Sequence, residues 1–600
     1  MKKKSLQKVL ALVLASVMAV GALTACGDSG NSGDSSSTGT SSTTDTTNTT
    51  TDSSSSSDSS TDTTSTDTSG GEATVAGIDG FVPFENTVTL NLPVYQRATP
   101  NGAADAGDNY WTAWIQQEFG DKYNIEVNFK DWVIPRGEEN AMYAQWASVQ
   151  SLPTVCFEYD YPDLTLYQSE GYLQEYDIDW FKQIAPTYWA AMEENGLDEF
   201  TQINGENVLL IGTRPYGQTN YQFVTFYRKD WVEAAGYDSY PTDPAELLEM
   251  YAKIDELGLC TGDYILGGTK IEGNGVDQNY AYRTYPQDKE LWATTGDYDV
   301  PALPTEAQKK LLQWNNKLYN LGYIDKEYNT KTADYAISDF VSGKCFTYSC
   351  YSTNNVQALD QFYEANPDGK LGIIVNPGPT TYSDGSSPAF RPNSIFGQYI
   401  GFSATATEDE MKAFAMYLEW MSQPDVLFTL QWGEEGVNFN YDENGTPKAI
   451  AVEEQPADKV MSHNNNVDMW CLVTATASQG SVDKDIQAIT PLGYPDSDQF
   501  FDDIKANYEG QLACYEAGMA SPDCSFTVTI AANDEYKATL YTKYAELRDK
   551  IVMGSEEDFE ANYEAACQEY LDAGYQAIID DKKAAFDNGD YVEQAAHFFK

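Results

Sequence analysis

Histidine is nearly absent from this 600-residue chain, which has only His463 and His597. No two cysteines stand at C-x-x-C spacing, and no H-E-x-x-H, G-x-S-x-G or P-loop sequence occurs. The usual signatures of zinc, serine-hydrolase and nucleotide sites are therefore missing, so no cofactor and no metal ion is expected. Positive charge is scarce too: 36 Lys and Arg stand against 92 Asp and Glu, a net charge of −56. That field repels nucleic acid and anionic lipid head groups, which drop out as partners. A glycosidase needs two placed carboxylates, and with so many acids no pair in the sequence is informative. His463 sits in a polar Ser-His-Asn-Asn-Asn run with no metal-ligand neighbour. Asp442-Glu443-Asn444-Gly445 faintly resembles a calcium loop, but lacks the remaining ligand positions and reads as a hairpin turn.

The first 25 residues are arranged as a secretory signal. Lys2, Lys3, Lys4 and Lys8 give a positive start, and an apolar stretch over 9–22 is too short for a permanent spanning helix. The stretch ends in Leu23-Thr24-Ala25-Cys26, which resembles the bacterial lipobox, so cleavage before Cys26 and lipid on its thiol are expected. Loss of the four signal lysines takes the mature chain to −60 (−56 − 4). From Cys26 to residue 77 the chain is almost wholly Ser, Thr, Asp, Gly and Asn. Such a segment cannot bury enough apolar surface to order itself. Asp45, Asp52, Asp58, Asp62 and Asp67 repel one another along it. A flexible tether of that length spans roughly 40 Å, and charge extends it further.

The remainder exceeds the size at which single cores stop growing, so two or more lobes are expected. Aromatics are abundant: 42 Tyr, 25 Phe and 12 Trp. Eight cysteines follow Cys26; Cys514 and Cys524 could form a short bridge or stay isolated thiols, and spacing leaves both open. Residues 87–95 (TVTLNLPVY) predict a strand, 110–119 an amphipathic helix, 123–129 a second strand, and 154–157 another after a helix near 140–148. Strand alternating with helix argues for βαβ units and a largely parallel sheet. A second such region opens at 223–228. Asp230 is expected to cap a short helix from Trp231. Thr242-Asp243-Pro244 starts a longer helix with Leu247, Leu248, Tyr251, Ile254 and Leu257 on one stripe. Residues 408–430 predict a helix broken at Pro424, and the chain from about 533 is helical.

Three stretches carry a family resemblance. Tyr227-Arg228-Lys229-Asp230-Trp231 through Ala235-Gly236-Tyr237 and 241–257 is the first. The second is 408–439, including KAFAMYLEWMSQPDVLFTLQWGEEGVNF, and the third is 544–579. In order and spacing they resemble the extracellular solute-binding protein family 1, the carbohydrate-type lipoprotein receptors of ABC importers in Gram-positive organisms. The resemblance implies an α/β, two-lobe periplasmic-binding-protein type II fold with an interlobe cleft and a helical C-terminal part. It places lobe 1 at 78–215 and 395–450, and lobe 2 at 216–394 and 451–600. It further implies a monomer held on the outer face of the cell membrane through lipid alone. That receptor would pass a small solute, an oligosaccharide, to permease subunits without chemical turnover.

A sugar offers apolar C–H faces and many hydroxyls, so aromatics beside carboxylates, amides and Arg suit it. At predicted strand ends, and in stretches that read as loops, such residues are Tyr95, Arg97, Asp160, Tyr161, Trp292, Tyr351, Trp432 and Trp470. For any single aromatic, core packing is the commoner role. Arg97 suits an acidic sugar or a surface carboxylate. A surface glycoside hydrolase, a sugar-binding adhesin or a peptide receptor of the same fold are the competing readings.

Overall fold

The computed structural model describes residues 77–78, 80–96, 105–214, 219, 222–262, 264–266, 288–295, 300–331, 333–352, 356–387, 392, 396–443, 445–474, 481–491, 493–519 and 523–594. The expected signal, Cys26, the tether and Arg97 lie outside them.

The described buried apolar residues form one large core and three further clusters, two of which share the sheet around residues 223–228 and together make the second core. The first begins with strands β1 (Val88–Asn91) and β2 (Val94–Gln96), where the sequence predicts one strand. Pro93 has no N–H to donate to a ladder, and the strand divides there. β1 pairs in parallel with β3 (Ile125–Asn128), and β2 with β4 (Val133–Pro135). The helix Tyr110–Ile115 between them is fixed by a capping box of Asn109 and Thr112, and runs on through a π-turn, Gln116–Gly120.

The next sheet is antiparallel, against the largely parallel sheet expected. β5 (Val155–Glu158) and β8 (Leu209–Thr213) flank β12 (Phe396–Phe402), which runs against both. β12 reaches the sheet only after the chain has visited the other core, so strand–helix alternation near β5 carries no information about its direction. A small hairpin of β6 (Gln202–Ile203) and β7 (Glu206–Asn207) sits just before β8.

Helix Glu408–Met421, opened by a capping box of Thr407 and Glu410, is buried along nearly its whole length. Pro424 starts a new helix, Pro424–Trp432, as the sequence predicts. β13 (Phe439–Tyr441) and β14 (Pro447–Ala449) pair as a hairpin, with the Thr446 N–H donating to Asp442 Oδ1 at 2.8 Å; Asn444 of the expected turn lies outside the described residues. Residues between 461 and 473, expected in lobe 2, pack in the first core through Met461, Val467, Met469, Trp470 and Leu472.

The second core centres on β9 (Phe223–Arg228), flanked antiparallel by β10 (Thr347–Tyr351) and β11 (Leu371–Ile373). Asp230 does not cap the helix Lys229–Ala234. It pairs with the Arg228 guanidinium at 2.5 Å instead, because that buried cation needs a carboxylate. Helix Pro244–Glu256 is capped by Asp243, which accepts the Ala245 N–H at 2.9 Å. Leu247, Tyr251 and Ile254 are buried as predicted, while Leu257 is exposed beyond the helix end. C-terminal helix Ala531–Val552 joins this core through Leu540, Tyr544, Leu547 and Ile551, Phe559–Tyr570 through Phe559, Tyr563 and Tyr570, and Gln576–Asn588 through Ile578. All eight described cysteines are free thiols, so Cys514 and Cys524 are not bridged. No described helix is long and apolar enough to cross a membrane.

Among the described residues the chain passes between the cores after β8, before β12 and after residue 474, and Val592 near the C-terminus packs back against the first core. In the first core these passes start side by side. Thr213 pairs with Phe396, its N–H donates to Val473 O at 2.9 Å, and Arg214 Nε donates to Phe396 O at 2.8 Å.

Candidate functional site

In the first core, the chain leaves β2, β4 and β5 at one edge. Tyr95, Arg136 and the Glu158–Tyr159–Asp160 segment gather there. Tyr95 is wholly buried; its hydroxyl donates to Glu158 Oε2 at 2.8 Å and its N–H to Asp468 Oδ2 at 3.0 Å. The Tyr159 hydroxyl donates to the other oxygen of Asp468 at 2.9 Å, and that of Tyr167 to Glu158 Oε1 at 2.8 Å. The Arg136 guanidinium lies 4.4 Å from the Tyr95 ring centre and 5.8 Å from that of Tyr159, while its Nη1 donates to Glu139 at 2.9 Å.

Burial pushes the Glu158 carboxyl up to about 8, and the nearby Asp163 carboxylate adds to the rise. The two tyrosine hydroxyls oppose it by stabilising the ion, without prevailing. At neutral pH Glu158 is therefore mostly protonated, and the edge carries less negative charge than its composition suggests.

The residues singled out from the sequence divide. Asp160, 42% exposed at its side chain, precedes the helix Tyr161–Ser169 and stands 3.6 Å from Lys537. Tyr161 is buried, its ring edge-on to Tyr399 at 5.3 Å. With Tyr95 these two share the edge. Trp470 is buried in the first core. Trp292 is buried elsewhere, its indole donating to Asp523 at 3.1 Å. Trp432 is half-buried against Phe439. The three tryptophans, expected in loops, are all helical, in Lys289–Thr295, Pro424–Trp432 and His463–Trp470. Tyr351 ends β10 opposite Phe223. In the first core, the Tyr110 hydroxyl donates to Glu434 at 2.9 Å, and Lys459 pairs with the same carboxylate at 3.1 Å.

Three buried side chains at the crossing edges have unmatched polar atoms. Gln398 is beside the exit of β5, since its neighbour Tyr399 pairs with Glu158; neither amide atom has a partner. Ser352 Oγ and Asn376 Nδ2, on the chain just beyond β10 and β11, likewise have none. Ser352 is 3% exposed and Asn376 2%. Buried polar groups are seldom left so, and each costs about 1–3 kcal/mol. The sequence reading missed these three along with Arg136 and Asp468. Arg136-Gly137 directly after a short β-rich run was the one local signal available.

No protein-family model matches the chain. The polygalacturonan/rhamnogalacturonan-binding protein YtcQ of Bacillus subtilis is 25% identical over 237 residues, 36% of this chain and 43% of that protein. The match thus spans less than half of the relative. The solved alginate-binding protein AlgQ2 aligns over 85% of this chain and all of its own, at 15% identity and a TM-score of 0.57. The ABC-transporter substrate-binding protein FusA of S. pneumoniae, solved with kestose, aligns over 84% of this chain and 99% of its own, at 14% identity and 0.55. The fold is that of the two-lobed solute-binding proteins.

Proposed function

We propose that the protein is an extracellular solute-binding receptor of an ABC importer, anchored by lipid on Cys26, which takes an oligosaccharide between its lobes and delivers it to the permease. Lobe 1 would comprise about 78–213 and 396–473, and lobe 2 the rest of the folded chain. The observation that supports this most is the aromatic and polar edge of Tyr95, Arg136, Tyr159 and Asp468, set where the chain passes between cores. The half-buried Tyr159 ring offers an apolar face, and the orphaned amide and hydroxyl groups of Gln398, Ser352 and Asn376 match the hydroxyls of a sugar. The likeness to proteins whose names state binding to polygalacturonan, alginate or kestose points the same way. Closure of two such lobes is a hinge motion that reports a loaded state.

A thermal-shift and calorimetry screen over neutral and acidic oligosaccharides tests the reading. One sugar should bind at one site per chain, raise the melting temperature, and return unchanged. Turnover, or binding to insoluble polymer alone, sinks it. The orphaned groups give a sharper check. Ser352→Ala should leave stability unchanged or slightly raised, because Oγ has no partner to lose. Its affinity for the sugar should fall by about five- to tenfold, the worth of one neutral hydrogen bond. Unchanged affinity would remove Ser352 from the site.

A further inference from the structure

Besides the passes of chain, noncovalent contacts join the lobes: Lys448 Nζ donates to Gln487 O, and a fuller set gathers at one hairpin. Asn204 forms the tip of the β6–β7 hairpin in the left-handed conformation, at φ 54°. Its N–H donates to Thr527 O at 2.8 Å, and its Nδ2 to Thr529 Oγ1 at 3.1 Å. The Thr529 N–H donates back to Asn204 Oδ1 at 3.1 Å. Ile203 beside it is buried in the first core, whereas Thr527 and Thr529 lead into Ala531–Val552, a helix of the second. Two turns into that helix, Lys537 reaches back to the first core, 3.4 Å from Asp163 and 3.6 Å from Asp160. Asp534 and Glu170 stand close by, so Lys537 is set among four carboxylates.

We propose that the Asn204 turn and Lys537 form a latch that holds the lobes in this arrangement and, through Asp160, sets how tightly the cleft retains its ligand. An ion pair this exposed contributes little alone. Three reciprocal hydrogen bonds on a turn preset to receive them make the contact directional. Any difference in latch strength between the two lobe arrangements must appear in ligand affinity, because binding and closure share one equilibrium. Lys537 is thus a positioning residue for Asp160. The effect on binding rests on the receptor reading; the latch itself does not.

The test combines Asn204→Gly with Lys537→Met. Glycine keeps the left-handed backbone, so folding is not put at risk. Small-angle X-ray scattering of the ligand-free protein should shift from the wild-type profile, and raised salt should move the unaltered chain in the same direction by screening the Lys537 pair. Oligosaccharide affinity should change by about fivefold or more. A scattering profile identical to wild type overturns the latch, whatever the affinity. An altered profile with unchanged affinity overturns its link to the site. If the wild type binds no oligosaccharide, the receptor reading fails while scattering still decides the latch.

Discussion

Glu158→Gln should remove a pH dependence from the stability of the protein. The carboxyl titrates near 8 in the folded chain against an ordinary value near 4.5. Below about 4.5 it is protonated whether the chain is folded or not, and its full contribution is present. As pH rises toward about 8 the folded chain keeps a proton that the unfolded chain has released, so stability falls. Above that the ion forms in both states and the slope ends. The difference in unfolding free energy between wild type and variant should therefore change by about 1.4 kcal/mol per pH unit inside that window. Urea unfolding from pH 4 to 9 measures it. Parallel curves for the two proteins would show that Glu158 ionises freely when folded. Glutamine suits this test because, uncharged like the protonated acid, it keeps an oxygen for the Tyr167 hydroxyl and offers an N–H to that of Tyr95, which can donate to Phe157 O instead.

Gly212→Val should damage the place where the lobes are joined. A Cβ there would lie 2.6 Å from Cys471 O and 3.0 Å from Leu472 O, both backbone atoms that cannot swing aside. To admit valine, β8 must part from the 471–474 segment, weakening the Thr213–Val473 hydrogen bond. Overpacking of this kind costs about 2–3 kcal/mol. A fall of several degrees in melting temperature should accompany an altered ligand-linked change in tryptophan fluorescence. A variant with wild-type melting and closure would mean that the close approach is dispensable.

Local rules of sequence read well here where local chemistry decides. Asp243-Pro244 and Pro424 punctuated helices as predicted, because a cap and a missing N–H act within one turn. The stripe of Leu540, Tyr544, Leu547 and Ile551 was visible for the same reason. Strand direction was not, since β12 meets β5 and β8 from a distant part of the chain. The candidate site was half legible. Tyr95 lies in a strand that the alternation reveals, and Asp160 and Tyr161 follow the apolar run that forms β5. Asp468, however, joins Tyr95 across 373 positions of sequence, and nothing local marks it. Gln398, Ser352 and Asn376 are informative only through the partners they lack, a property that exists once the chain is folded.

The central place of β12 has a consequence for how the protein matures. The chain is made N-terminus first, so β5 and β8 exist long before the strand that belongs between them. Until residue 402 arrives, each presents an open ladder of backbone donors and acceptors to whatever is near. Any fragment ending before Phe396 keeps those two edges permanently, and is built to aggregate rather than to bind. Of the two three-stranded sheets, the first to begin is thus the last to finish, and it stays open while all three strands of the second are made.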